Sequence, residues 1–165
     1  MSWTTVWDML YPEDVGDPYD DHAASEMHRL RGIVMAQAAE TESVLGQILK
    51  RLDSSVKVNR PAGNLLRDVR SKLNKIDLEL HEHDLGIVGA AIRRRNRVVH
   101  SEVTIWSTWA PYATGGGEWV PAISLLGADE CNESDLMKDL VLQQEATAAA
   151  VRILHECSDP EERRP

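Results

Sequence analysis

Between Asp21 and Leu52 apolar side chains recur at three- and four-residue steps: Leu30, Ile33, Val34, Ala38, Leu45, Ile48, Leu49 and Leu52. That spacing lines one face of an α-helix and no face of a strand. A long helix with one apolar stripe must bury it against another element, and the expected partners here are further helices of a bundle. Asp20 or Asp21 can cap the start, where acids suit the helix dipole, and Lys50 and Arg51 suit the far end. At 165 residues, one domain is expected, with a core large enough to need no staples.

The rest of the chain extends that pattern. Residues 1–22 read as an N-terminal arm, in which Trp3, Val6, Trp7 and Leu10 share one face of a short helix, broken by Pro12, Gly16 and Pro18. The Trp pair is expected to dock the arm on the body. After a connector at 53–63, Asn64 can cap a second helix over 65–81, with Leu66, Val69, Leu73, Ile76 and Leu80 as its stripe. Asp84 can cap a third over 85–101, with Leu85, Val88, Ala91, Ile92, Val98 and Val99 for packing. Then the period changes. Residues 102–109 and 119–126 are rich in β-branched and aromatic side chains around a Gly115–Gly117 turn, so 102–127 reads as a β-hairpin with Pro121 on an edge. A last helix over 134–157, opened by Ser134 or Asn132, carries Leu136, Leu140, Val141, Ala148, Val151 and Leu154 or His155. The expected fold is all-α: an up-and-down bundle of four main helices over 23–157, with the hairpin inserted between the third and fourth. The tail at 158–165 is charged and expected to be disordered.

Cys131 and Cys157 lack any metal-ligand or redox spacing, which fits a reducing compartment. The N-terminus lacks the pattern of a signal peptide, and no apolar run is long enough to span a bilayer. A cytoplasmic protein without a membrane partner is expected.

Net charge is −9, yet residues 57–100 hold ten Lys and Arg against five Asp and Glu. This local excess of cations is what a phosphate backbone attracts, although charge runs are more often solvated helix faces. Its last stretch is Arg95-Asn96-Arg97-Val98-Val99-His100, or R-N-x-x-x-H. A guanidinium, an amide and an imidazole within six residues suit cleavage of an RNA phosphodiester. Imidazole shuttles protons near neutrality, and the guanidinium fork matches phosphate oxygens. On a helix Asn96 and His100 share a face, whereas Arg95 and His100 lie about 140° apart. The Arg stem must wrap round, the helix must distort, or the groups must serve sites shared between subunits. Attack by a 2′-hydroxyl needs a base for that hydroxyl and an acid for the leaving 5′-oxygen. One His per chain therefore gives a physical reason to expect a homodimer.

The motif and its helical setting resemble the HEPN superfamily of RNases and RNA-binding domains. Arg95, Asn96 and His100 match its R-x(4–6)-H pattern with Asn after the Arg, and the resemblance covers roughly residues 21–157. It implies metal-independent endoribonuclease activity at a dimer interface, leaving a 2′,3′-cyclic phosphate and a 5′-hydroxyl. Many relatives are toxins or anti-phage effectors, so an antitoxin or regulatory partner is implied. Arg95 would stabilise phosphate charge, Asn96 orient, and His100 move protons, while Arg93, Arg94 and Arg97 hold the RNA backbone. Many relatives also carry an acid in an earlier helix. Glu42 is the first candidate and Glu40 the second, and solvated helix acids are an equal reading of both. One toxin group has a modified Tyr two residues after the His, where this chain has Glu102; that mode of control does not carry over.

Other features add less. His81-Glu82-His83-Asp84 reads as a polar turn rather than a metal site, and neither a metal nor a cofactor is expected. Gly115–Gly117 lacks the context of a nucleotide-binding loop. Trp106, Trp109, Tyr112 and Trp119 can stack on unpaired bases, though hairpin core or a partner surface is the commoner use. Besides the nuclease, two other classes remain: a silent bundle binding RNA, a nucleotide or a partner, and a purely structural bundle.

Overall fold

The computed structural model describes Leu10, residues 21–126 and residues 131–157. Most of the expected arm and all of the tail lie outside the described residues. The elements are α1 (Asp21–Leu52), α2 (Ala62–Lys72), α3 (Lys75–Leu80), α4 (Glu82–His100), β1 (Glu102–Pro111), β2 (Gly117–Leu126) and α5 (Glu133–Glu156). The molecule is thus mostly helical with a two-stranded antiparallel hairpin.

The α1 stripe packs as its spacing requires. Val34, Leu45, Ile48 and Leu49 are fully buried, at about 2 kcal/mol of apolar transfer each. Ile33 differs, being partly exposed at the edge of the stripe. Together with Leu65, Val69, Leu85, Val88, Ala149 and Ile153, the second half of α1 builds the main core. A second cluster at the other end joins Met27, Leu30, Val34, Val98, Leu125, Cys131 and Leu136. It seats the base of the hairpin, where Leu125 pairs with Cys131.

The expected second helix over 65–81 is two helices. Leu73 is extended and Asn74 starts α3, its side chain accepting a hydrogen bond from the Asp77 N–H. The break turns Ile76 and Leu80 out to solvent, although they continue the apolar spacing of α2. Pro61, not Asn64, precedes α2, and His81, not Asp84, precedes α4. The α5 start holds a full capping box between Asn132 and Asp135, a motif whose cap is worth about 1 kcal/mol. The buried face of α5 also differs from expectation. Leu136 is buried as its spacing requires, but Val141, Ala148 and Val151 are exposed, and Asp139, Gln143, Ala146, Ala150 and Ile153 face inward.

Side-chain pairings fix the helix directions. Gln37 and Thr41 of α1 meet Thr147, and Arg51 reaches the Leu154 carbonyl, so α1 and α5 run in the same sense. Between α4 and α5, Arg94 meets Asp139, Ala91 meets Gln143 and Asp84 meets Arg152, so these two run oppositely. Lys72 at the end of α2 reaches Asp53 just after α1, and Ala62 at its start reaches Glu42. The connector at 53–61 therefore returns along α1 before α2 begins, and the helices do not simply alternate up and down. Gly46 makes room for that return: a Cβ there would sit 3.4 Å from Val58.

The hairpin starts one residue after α4. Its strands pair from Glu102–Leu126 to Pro111–Gly117, with Pro121 opposite Ser107. Gly115 and Gly116 take positive φ at the tip, the left-handed region glycine tolerates. Trp109 and Trp119 face each other edge to face at 5.6 Å, and both are exposed.

Candidate active site

α4 remains α-helical through the whole R-N-x-x-x-H segment. Asp84 and Arg152 tie its first turn to α5, and Arg31 of α1 donates to the Val99 carbonyl at 2.6 Å in its last turn. His100 is the final helical residue, and Ser101 closes the turn by donating from Oγ to the Arg97 carbonyl at 2.7 Å. The helix that carries the motif is thereby held at both ends.

Arg95 lies against α1. Its guanidinium is 3.2 Å from Glu42 Oε2 and donates to Asn96 Oδ1 at 3.0 Å. The Arg stem bends toward the Asn face without distortion of the helix. Glu42 is fixed independently, because its Oε1 accepts the Ala62 N–H at 2.7 Å. Pro61 offers α2 no side-chain cap, so a carboxylate from α1 meets that orphan donor at the positive end of the helix. Both oxygens of Glu42 are thus engaged, one by a helix start and one by a cation. Glu40 is exposed.

Arg93, Asn96 and His100 occupy one exposed stripe of α4 at i, i+3 and i+7. His100 makes no polar contact with the described residues, so its imidazole is open to a substrate or a second subunit. Arg94 and Arg97 turn the other way, toward Asp139 of α5. That carboxylate is 1 % exposed and lies 2.5 Å from Arg94 Nε and 3.8 Å from Arg97. Of the three cations expected to hold RNA, Arg93 therefore shares the open face with His100, while Arg94 and Arg97 clamp α4 to α5.

Asp139 and Arg31 escaped the sequence reading. Arg31 left no signal, since its partner is 68 residues away. Asp139 left one: it falls at helical spacing from Leu136, Gln143, Ala146 and Ala150, so an acid stands in a core stripe. Beside Glu42 a groove of about 420 Å³ opens between α1 and the connector, lined by Glu42, Ser43, Gln47, Lys50, Asn59 and Arg60 among others.

Among the described residues no cluster of three or more His, Cys, Asp and Glu is arranged to hold a metal, and no helix is long and apolar enough to cross a membrane. Cys131 and Cys157 are buried and form no disulfide, and burial pushes the Cys131 thiol up, away from the reactive thiolate. The chain matches no family model, no curated protein and no solved structure.

Proposed function

We propose that this chain is a cytoplasmic, metal-independent endoribonuclease of HEPN type that works as a homodimer. The observation that carries the reading is the Glu42–Arg95–Asn96 contact beside an exposed His100. A guanidinium braced by a carboxylate is pre-organised to meet charge growing on non-bridging phosphate oxygens. An imidazole open to the outside can move protons.

In the proposed reaction two copies of the Arg93–Asn96–His100 stripe face each other across a two-fold axis. One His100 takes the proton of the ribose 2′-hydroxyl as that oxygen attacks phosphorus. The other gives a proton to the departing 5′-oxygen. The P–O5′ bond breaks as the 2′-oxygen bond forms, leaving a 2′,3′-cyclic phosphate and a 5′-hydroxyl. The two Arg95 groups hold the phosphate oxygens, Asn96 orients them, and Arg93 grips the flanking backbone. A role as a toxin or defence effector, restrained by a protein partner, fits such an activity.

The test incubates purified protein with single-stranded RNA in excess EDTA, beside His100→Ala and Arg95→Ala variants. Cleavage by the unsubstituted chain, lost in both variants, is the expected result. Undetectable cleavage by all three would overturn the reading. A second reading, a non-catalytic RNA-, nucleotide- or partner-binding module, is favoured by the hairpin tip. There Trp109, Tyr112 and Trp119 are exposed, yet no Lys, Arg or His stands anywhere in 101–126. Such a surface suits a protein partner better than a phosphate backbone. Tight partner binding lost in Trp109→Ala, without RNA cleavage, would favour it.

A further inference from the structure

The groove between α1 and the 53–61 connector has no part in the chemistry above, although it shares the Glu42 wall with the Arg95 contact. At about 420 Å³ it falls within the range of small-ligand sites. Gly46, Val58 and Leu65 are its apolar lining, with Val58 packed close over Gly46. Its rim is polar. Ser43, Gln47 and Lys50 follow one another on the exposed face of α1, and Asn59 and Arg60 stand opposite on the connector. The side chains of Gln47, Lys50 and Asn59 have no hydrogen-bond or ion-pair partner among the described residues. Arg60 is steadied by Asp68 at 2.6 Å and by the Lys57 carbonyl at 3.0 Å.

We propose that this groove seats one nucleotide of the RNA strand, across Glu42 from Arg95. The inference rests on the nuclease reading for its position, and on the groove itself for its chemistry. Two primary amides facing one cavity offer donors and acceptors together, which is what the edge of an unpaired base needs. Lys50 and Arg60 supply the charge for its phosphate. The one acid in the wall does not repel that phosphate strongly, because Arg95 and the Ala62 N–H already face its two oxygens. Continuity is the remaining argument. Glu42 stands in the wall of the groove, and its Oε2 faces Arg95 at 3.2 Å.

The test measures binding of a labelled, single-stranded 2′-O-methyl RNA, which lacks the attacking hydroxyl, to the full chain. The variants are Gln47→Leu with Asn59→Leu, and separately Lys50→Glu; all three sites are exposed, and circular dichroism checks their fold. The amide pair is expected to weaken binding about tenfold. Lys50→Glu should weaken it and flatten the salt dependence by about one ion released. Unchanged affinity in both folded variants overturns the proposal. So does an unsubstituted chain that binds no RNA. A loss confined to added 5′-AMP, with RNA binding intact, also overturns it, by assigning the groove to a free nucleotide. If the unsubstituted chain cuts no RNA but the variants still lose RNA affinity, the nuclease reading fails and the groove assignment stands.

Discussion

Asp139 is the residue on which the arginine-rich segment depends for its shape. A carboxylate this deeply buried is tolerated because Arg94 and Arg97 bring it opposite charge. Removing one member of a buried pair costs about 3–5 kcal/mol, and the partial exposure of Arg94 reduces that here. Asp139→Ala should therefore lower stability by about 2–3 kcal/mol, read as a fall in the urea midpoint. A shift within error would mean that the pair is structurally idle. Glu42 separates two roles differently. Glu42→Gln keeps an acceptor for the Ala62 N–H but loses the charge facing Arg95. Its melting temperature should stay near that of the parent while, on the proposed function, RNA cleavage falls about tenfold or more as Arg95 loses its brace. Glu42→Ala should lower both. At this scale the sequence was partly legible. Arg95, Asn96 and His100 announce themselves by type and spacing, and Glu42 sits at the edge of an apolar stripe. What could not be read is which arginines turn inward. Adjacent positions 93–97 carry the same cation four times, and their directions depend on an acid 45 residues away.

Among the elements, the junction of α1 and α2 has a pH signature. Asp53 accepts from Lys72 Nζ at 2.7 Å and from the Ser55 backbone and hydroxyl at 3.0 and 2.6 Å. These donors, Lys72 foremost, hold its carboxyl down at about 2, against an ordinary 3.8. A depressed pKa in the folded state means a contribution fully present above the ordinary value and lost as pH falls through about 2. Asp53→Asn should therefore lower the plateau of a stability–pH curve above about pH 4 and flatten the acid limb below it, so that variant and parent converge as pH falls toward about 2. An unaltered acid limb would refute it. The hairpin offers a second measurement. A Cβ on Gly117 would lie 2.6 Å from the Ala110 carbonyl and 2.7 Å from the Trp109 ring. Gly117→Ala should abolish the circular-dichroism couplet of the Trp109–Trp119 pair and leave the helical signal intact; a retained couplet would show that the strands absorb the methyl. Long helices and the hairpin were plain from periodicity because each repeats its signal many times. The Leu73–Asn74 break was not, because Ile76 and Leu80 continue the spacing of α2 while facing solvent. The misplaced α5 stripe has a similar cause: two apolar registers compete there, and the buried one includes Asp139 and Gln143.

For the whole molecule, the proposed site is divided between copies, so specific activity should fall on dilution through the range where sedimentation shows dimers dissociating. Constant specific activity across that range would mean that one subunit suffices. Helix directions were the part of the architecture least legible beforehand. A nine-residue connector can simply turn a corner or run back along the preceding helix, and this one runs back. The outcome is set by contacts distant in sequence, Glu42 with Ala62 and Asp53 with Lys72. α5 completes the assembly, touching α4 through Gln143 and Asp139 and α1 through Thr147. It is also the last of these helices to leave the ribosome. A nascent chain that has exposed the whole arginine-rich segment, but not yet Asp139, carries those cations without the clamp that sorts them. The ordered arrangement exists only once translation has passed beyond Asp139.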